Sequence, residues 1–435
     1  MFTFKSFLNE NQEVDSLKNH PVLSNFLHHL SSPTLKASDS LSEAHDIETI
    51  KASGQTNKPQ GNLFHVLKEG FHAAFPDNES ADTTQRKAVE ARRHFRNFMA
   101  ERGGMSKDNV ANLTGENGKT ALSTGEGMQT LGLSLAPHKS SGYKHDLCPK
   151  ASSECRANCL GFTAGGNRQF PETSFRAKLL RTQYLAEHPE HAARLMSHEI
   201  GENEKWSSEH HFITDGSGAV VGHQNKKSGK ITSHMDVKPK NPDGTKKTAE
   251  QKKAEVSAHV DSIQKGIEAG THNTKAVKSG FRGNVTSDLP YESLMPEKFF
   301  KKHANTQFYD YTKIASRLKK KLPSNYSLAL SHTGTEHGES NDKHVIDALE
   351  NGHVVAMVHQ RSKVTPTHVE DVKTVKRYPI VNGDNDDNVY DRHRMAGIPK
   401  SQGVVSGLKL KGVSNKQAGF FANKVDPDGI IRINK

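Results

Sequence analysis

The chain has 435 residues, of which 33% are hydrophobic, and 60 Lys and Arg against 49 Asp and Glu give it a net charge of +11. This length exceeds one average domain, and the mean hydropathy of -0.75 indicates that part of the chain is rich in surface residues. No run of about 18 apolar residues occurs and no secretory signal is recognisable, so we expect a cytoplasmic protein without a membrane partner.

The first two segments are predicted to be helical and partly unstructured. We expect short helices and a disordered linker in residues 1–61, then a helical region in 62–127. In the latter, Ala88, Ala91, Phe95 and Phe98 recur at helical spacing, and a helix over 84–102 follows. Four arginines lie largely off that apolar stripe and are candidates for binding nucleic acid: Arg86, Arg92, Arg93 and Arg96.

Residues 128–435 are predicted to form an α/β core. Strands predicted over 281–287, 306–311, 326–330 and 353–358 alternate with helices predicted over 291–303, 314–322 and 342–351. This alternation indicates a mostly parallel sheet that forms an open or partial barrel. An insertion at about 207–280 interrupts the core. It carries most of the excess charge, since 226–278 hold twelve Lys, six acids and no Arg, a balance of 12 - 6 = +6. Scattered Lys without Arg favours a solvated insertion over a nucleic-acid arm.

Polar residues follow successive predicted strands. Because ligands in parallel α/β proteins bind beyond the carboxyl ends of the strands, these residues are predicted to share a pocket for a small or nucleotide-like ligand. The candidates are Asp288, Lys313, Ser331, His332, Arg361 and Asp384.

The chain contains only three cysteines, and all lie within twelve residues: Cys148, Cys155 and Cys159. An odd number of thiols in a reducing compartment argues against a disulfide and favours a metal site. Three thiolates can hold a four-iron cluster with one iron open to a ligand, whereas zinc requires a fourth donor, for which His145 and His138 are near in sequence. Both the iron-sulfur cluster and the zinc site therefore stay open.

The cysteine segment resembles the phage gene product 88 domain. The similarity lies in 133–137 and in Cys148-Pro149 followed by six- and three-residue spacings between the cysteines. It extends over roughly 131–200 and 280–412, including Phe175-Arg176, which adds Arg176 to the ligand-binding candidates. The family's cysteine motif is in turn similar to that of radical S-adenosylmethionine enzymes, although this chain lacks their Cys-x3-Cys-x2-Cys spacing.

The resemblance implies a phage protein located in the host cytoplasm or in the virion. Our main hypothesis is an iron-sulfur protein with radical or redox activity at an α/β pocket, with S-adenosylmethionine as a further ligand of an open iron. The alternative is a zinc-stabilised protein that binds nucleic acid, or a virion component without catalysis. Whether the protein is an enzyme is left open by the sequence.

Overall fold

The computed structural model describes residues 50–52, 62–116, 120–121, 124, 127–143, 145–157, 159, 172–334, 340–385, 387–411, 415 and 422–433. The helices and linker expected in residues 1–49 and 53–61 lie outside the described residues.

Five helices of the described part precede the insertion. They are α1 (Leu63–Ala73), α2 (Ala81–Gly103), α3 (Ser153–Ala157), α4 (Glu172–Glu187) and α5 (Pro189–Glu209). Helix α2 confirms the helix expected over 84–102. It begins where the Ser80 side chain accepts a hydrogen bond from the Thr83 backbone, and it ends at Gly104, which has a φ of 61°.

The insertion is a folded layer of its own. Strands β2 (His210–Thr214), β3 (Val220–Asn225), β4 (Ile231–Ser233) and β5 (Asn273–Ala276) form a four-stranded antiparallel sheet in the order β4-β3-β2-β5. Between β4 and β5 lies α6 (Ala249–Glu268), which begins with a capping box between Thr248 and Gln251. Most of α6 is exposed, so its lysines are solvated as expected.

The core is a nine-stranded sheet. Its strands are β1 (Met128–Gly132), β6 (Lys278–Arg282), β7 (Thr306–Thr312), β8 (Tyr326–Ser331), β9 (Val354–His359), β10 (His368–Asp371), β11 (Arg377–Asn382), β12 (Val404–Lys409) and β13 (Ile430–Ile433). Their order is β1-β6-β7-β8-β9-β12-β11-β10-β13, and every neighbouring pair is parallel except β10 with β11. The prediction of an α/β protein with a mostly parallel, open sheet is confirmed.

Short helices connect the strands of this half. They are α7 (Tyr291–Leu294), α8 (Glu297–Lys302), α9 (Asp342–Glu350) and α10 (Arg392–Ala396). The helix expected over 291–303 is divided at Pro296, because proline has no N–H for the helical ladder. The helix expected over 314–322 is wrong: only Ala315–Arg317 form a single 3-10 turn, because Arg317 is turned into the interior.

One hydrophobic core joins the amino-terminal helices to the sheet. Buried Leu67, Phe71 and Phe95 belong to the same cluster as Phe308 and Val355 of the sheet. The opposite face of the sheet carries a smaller cluster. The helical region thus covers one face of the α/β sheet; the domain limits at 61 and 127 stay a prediction.

Candidate metal centre and strand-end network

The first cysteine lies at the carboxyl ends of β1 and β6, on a loop that several hydrogen bonds hold in place. The Leu147 N–H donates to the His138 carbonyl at 3.1 Å, and the Asp288 N–H donates to the Leu147 carbonyl at 2.7 Å. The Cys148 N–H in turn donates to a carboxylate oxygen of Asp146 at 2.8 Å. The loop is therefore fixed to the segment after β6, where the ligand pocket of a parallel sheet is expected.

The three thiols lie close enough for their charges to act on one another. None of the three is in a disulfide, and all are half-buried. Burial is the main cause that raises the pKa of the Cys148 thiol, and the negative charges of Cys159, Asp288 and Cys155 raise it further. A hydrogen bond from the His138 backbone opposes this rise in pKa. Several potential anions thus share a poorly solvated region.

The three sulfur atoms are not all as close to one another as in a preformed zinc site. A single zinc ion with Zn–S bonds of about 2.3 Å holds its sulfurs about 3.8 Å apart. In the part of the chain that the structure describes, the three cysteines do not form a group of ligand atoms within 4.8 Å of one another. A four-iron cluster needs more widely spaced sulfurs, because each thiolate binds a different iron atom.

Lys178, His138 and Arg156 lie near the cysteine loop. Lys178 of α4 is buried, and burial lowers its pKa to about 8, against the charge of Cys159, which raises it. Burial also lowers the pKa of His138 to about 4, so this imidazole is neutral at pH 7. Arg156 bonds to Asp146 at 3.0 Å and ties the short helix α3 to the loop before Cys148.

The strand ends of β6 and β7 are joined by a buried ion-pair network. Arg317 donates to Asp288 at 2.6 Å and makes two bonds, of 3.0 and 2.7 Å, with Glu292. The Lys313 N–H donates to the second oxygen of Asp288 at 2.8 Å. Arg317 is only 2% exposed, so a single fixed guanidinium bridges both carboxylates.

The network continues to the end of β8. The Lys313 ammonium donates to the His332 carbonyl at 3.2 Å. The His332 ring lies between Asp342, at 2.7 Å from Nε2, and the Asn423 amide nitrogen, at 3.0 Å from Nδ1. Because the Asn423 nitrogen can only donate, His332 carries its proton on Nε2 and is neutral, in agreement with a pKa that burial lowers.

The other predicted ligand-binding residues are engaged locally. Ser331 accepts a bond from Asn341 through its carbonyl. Arg361 donates to the Leu410 carbonyl, and Asp384 pairs with Lys411 at 2.9 Å. Arg176 pairs with Glu172 on the surface of α4. The structure thus brings Asp288, Lys313 and His332 together, and their grouping with the remaining four stays a prediction.

A match to a known protein family lies in the carboxyl-terminal half of the chain. Residues 243–424 match the family model described as gene product 88. This region is therefore similar to the gene product 88 family. The match spans 424 - 243 + 1 = 182 of the 435 residues. Searches of curated proteins and of solved structures gave no match.

The gene product 88 region contains the strand-end network but not the cysteines. It includes β6 to β12, with Asp288, Lys313 and His332, whereas the cysteine loop and β1 lie before it. The resemblance is therefore confirmed for its second part. The cysteine segment joins the gene product 88 sheet through β1, which pairs in parallel with β6.

Sequence reasoning missed a second buried charge pair on the opposite face of the gene product 88 sheet. Arg282, the last residue of β6, donates twice to Asp387, at 3.0 and 2.7 Å. Tyr309 donates to the same carboxylate at 3.2 Å, and the guanidinium lies 4.7 Å from the centre of the Tyr311 ring. The only signal in the sequence was a lone Arg at a strand end.

A cavity of about 230 Å³ lies at the opposite edge of the sheet, among α2, α5 and α8. In its wall Ser197 Oγ lies 2.8 Å from His303 Nε2, and His303 Nδ1 lies 3.1 Å from Glu204. A hydrolase triad also needs oxyanion donors, but Ser197 lies within α5, where the backbone N–H groups serve the helix. With Ser197 3% and His303 1% exposed, we assign these bonds to packing of α5 against β7.

The basic helix presents part of its charge to solvent. Arg86, Arg93 and Arg96 are exposed on α2, and Arg92 is half-buried beside Asn112, with 3.3 Å between their polar atoms.

Among the described residues, no helix is long and apolar enough to span a membrane.

Proposed function

We propose that the protein binds a metal centre through Cys148, Cys155 and Cys159 at the strand ends of the α/β sheet, and that this centre is an iron-sulfur cluster. The observation that carries the proposal is the crowding of three thiols and Asp288 in one poorly solvated region. A bound cation offsets such like-charge crowding, and it lowers the pKa of a coordinating thiol.

The residues fit a cluster better than a zinc ion. The three sulfurs are not all within the distance that one zinc ion requires, and His138, one of the two candidates for a fourth ligand, is held to the cysteine loop through its backbone carbonyl. A cluster held by three thiolates supplies electron transfer and one open iron, to which S-adenosylmethionine or another ligand could bind. We extend the proposal to radical chemistry with that ligand.

The chain's own residues would orient a ligand beside the centre. The Lys313 ammonium points its positive charge at the end of β8, next to the neutral His332. Lys178 adds a second cation near Cys159. These two cations favour an anionic ligand, such as a carboxylate or a phosphate, while the fixed Arg317 to Asp288 pair holds the loop after β6 in place.

Anaerobic isolation followed by iron and sulfide analysis tests the proposal. We expect about four iron and four sulfide per chain, with a charge-transfer absorption band. Cys148→Ser is expected to remove most of the iron, whereas Lys150→Ala, an exposed substitution in the same loop, should retain it. Stoichiometric zinc in a colourless protein, or equal iron contents in the two variants, would refute the iron-sulfur assignment.

The exposed arginines of α2 support a second candidate function, the binding of nucleic acid in the virion or in the host cell. Neutralising phosphates releases counterions, so affinity for DNA or RNA should fall steeply with salt. Arg93→Glu with Arg96→Glu should abolish binding at low salt, and Lys343→Glu, an exposed charge reversal on α9, should not. Undetectable binding by the unmodified chain at low salt would refute this function. Detection of the chain in purified particles would assign it to the virion.

A further inference from the structure

Three histidines meet where α2 packs against the start of α5. His94 lies on α2, His188 is the residue at which α5 begins, and His191 lies in its first turn. One nitrogen of each ring lies within 4.8 Å of one nitrogen of each of the others. Among the described residues, this is the only group of three or more His, Cys, Asp or Glu that meets that distance.

The rings are held by aromatic neighbours in an arrangement that keeps them together. The His94 ring centre lies 4.5 Å from those of both His188 and His191. Tyr184 packs 5.8 Å from His94, and its hydroxyl is fixed by a bond to the Ala91 carbonyl. Phe98 packs 5.6 Å from His188. The three imidazoles are thus gathered on a rigid aromatic base between two packed helices.

The group has unmet hydrogen-bonding capacity. The Nδ1 atom of His94 is buried and has no hydrogen-bond partner among the described residues. Burial lowers the pKa of His94, and it lowers that of His188 to about 4, to which the neighbouring histidines add. Neutral imidazole is the form that binds metals.

A second histidine group in the insertion differs in this respect. His223 Nδ1 lies 2.8 Å from His234 Nε2, so these two rings are hydrogen-bonded to each other. His210 Nδ1 bonds to the Trp206 carbonyl at 2.8 Å. Nitrogens that already have protein partners do not require an ion, so only the group between α2 and α5 carries an inference.

We propose that His94, His188 and His191 form a binding site for one divalent transition-metal ion of the zinc class. Imidazole nitrogen is a preferred ligand of Zn²⁺, Cu²⁺ and Ni²⁺, and three protein ligands leave a fourth position of a tetrahedral ion for water. The rings are half-buried, so solvent and a small ligand can reach that position. The site is separate from the cysteine loop and precedes the gene product 88 region.

Titration of the full chain with Co²⁺ tests this site independently of the cysteines. Cobalt bound only by imidazole and water gives weak visible bands, whereas thiolate ligation adds intense near-ultraviolet charge transfer. We expect visible bands without charge transfer at one equivalent, their displacement by Zn²⁺, and at least a tenfold weaker affinity in His94→Phe, which retains an aromatic ring for packing. Cys148→Ser should leave these bands unchanged.

Two further variants make the outcome decisive. His191→Gln should weaken binding to a similar extent if His94→Phe does not fold, as judged by circular dichroism. His344→Gln, an exposed histidine on α9, should bind as the unmodified chain does. The site is refuted if Co²⁺ does not bind saturably, if both His94→Phe and His191→Gln bind normally, or if the visible bands are lost in Cys148→Ser.

Discussion

Two groups of buried ionisable side chains meet at the end of β6 and are built in opposite ways. In the strand-end network, Arg317 lies within 3.0 Å of two carboxylates, so both carboxylates have the same fixed cation beside them. In the cysteine loop, three thiols that become negative when they lose their protons lie near one another and near Asp288. A compensated group is already complete within the protein. A group of like charges gains stability from an added cation, which is why we assign the metal to the cysteines and a positioning role to the network.

The largest expected effect is on the compensated group. Arg317→Met leaves Asp288 and Glu292 buried without their cation, and the free energy of unfolding should fall by about 3–5 kcal/mol. Urea unfolding at pH 7 measures the change. Arg96→Met on the exposed face of α2 serves as the control and should alter that free energy by no more than about 0.5 kcal/mol. A loss below about 1 kcal/mol for Arg317→Met would show that the network is not needed for the stability of the fold.

The second effect is a loss of stability in acid. The pKa values of His138, His188 and His223 are lowered by burial to about 4 from 6.5. The unfolded chain therefore binds more protons, and the free energy of unfolding should fall as pH drops from 6.5 towards 4, by up to about 2 kcal/mol per histidine after solvent screening. Asp310 opposes this trend, because burial raises its pKa to about 6 and the folded chain takes up its proton first.

Unfolding curves with a chelator present, collected from pH 7 to pH 4, measure this slope. His188→Gln removes one of the three lowered pKa values and should make the decline shallower. A decline as steep as that of the unmodified chain would contradict the role assigned to His188.

The smallest expected effect compares two buried tyrosines on the helical face of the sheet. Tyr326 donates to Asp310 at 2.5 Å, whereas the Tyr291 hydroxyl is buried without a hydrogen-bond partner among the described residues. Tyr326→Phe should cost about 1.5 kcal/mol, and Tyr291→Phe should be close to neutral, because no bond is lost. Equal losses for the two variants, measured by urea unfolding, would show that the hydroxyl of Tyr326 contributes nothing beyond its ring.

Local patterns in the sequence were sufficient for much of the fold. The continuous apolar runs of β7, β8 and β9 are typical of strands covered on both faces, and they were predicted nearly to the residue. Strand β11 was missed because Pro379 interrupts it, and β10 and β13 are only four residues long. The turn at Arg317 was mistaken for a helix, since its Lys-rich surroundings hide the burial of one arginine.

Local sequence patterns also indicated some residues of the candidate sites and not others. Clustering in the sequence indicated the cysteines as metal ligands, which stays a prediction, and strand ends indicated Asp288, Lys313 and His332, which the structure brings together. The partners Asp342 and Asn423 lie 10 and 91 residues from His332 in the chain, so no local pattern joins them. The same holds for His94 and His188, which only the packing of α2 against α5 brings together.

X-ray absorption at the iron edge of the anaerobically isolated chain tests the central claim most directly, because it reads the atoms around the metal. We predict a first shell of sulfur and a second shell containing iron, both lost in Cys148→Ser. A metal surrounded by nitrogen and oxygen alone, or a chain that retains no sulfur-bound metal under these conditions, would contradict the assignment of Cys148, Cys155 and Cys159 to a metal centre.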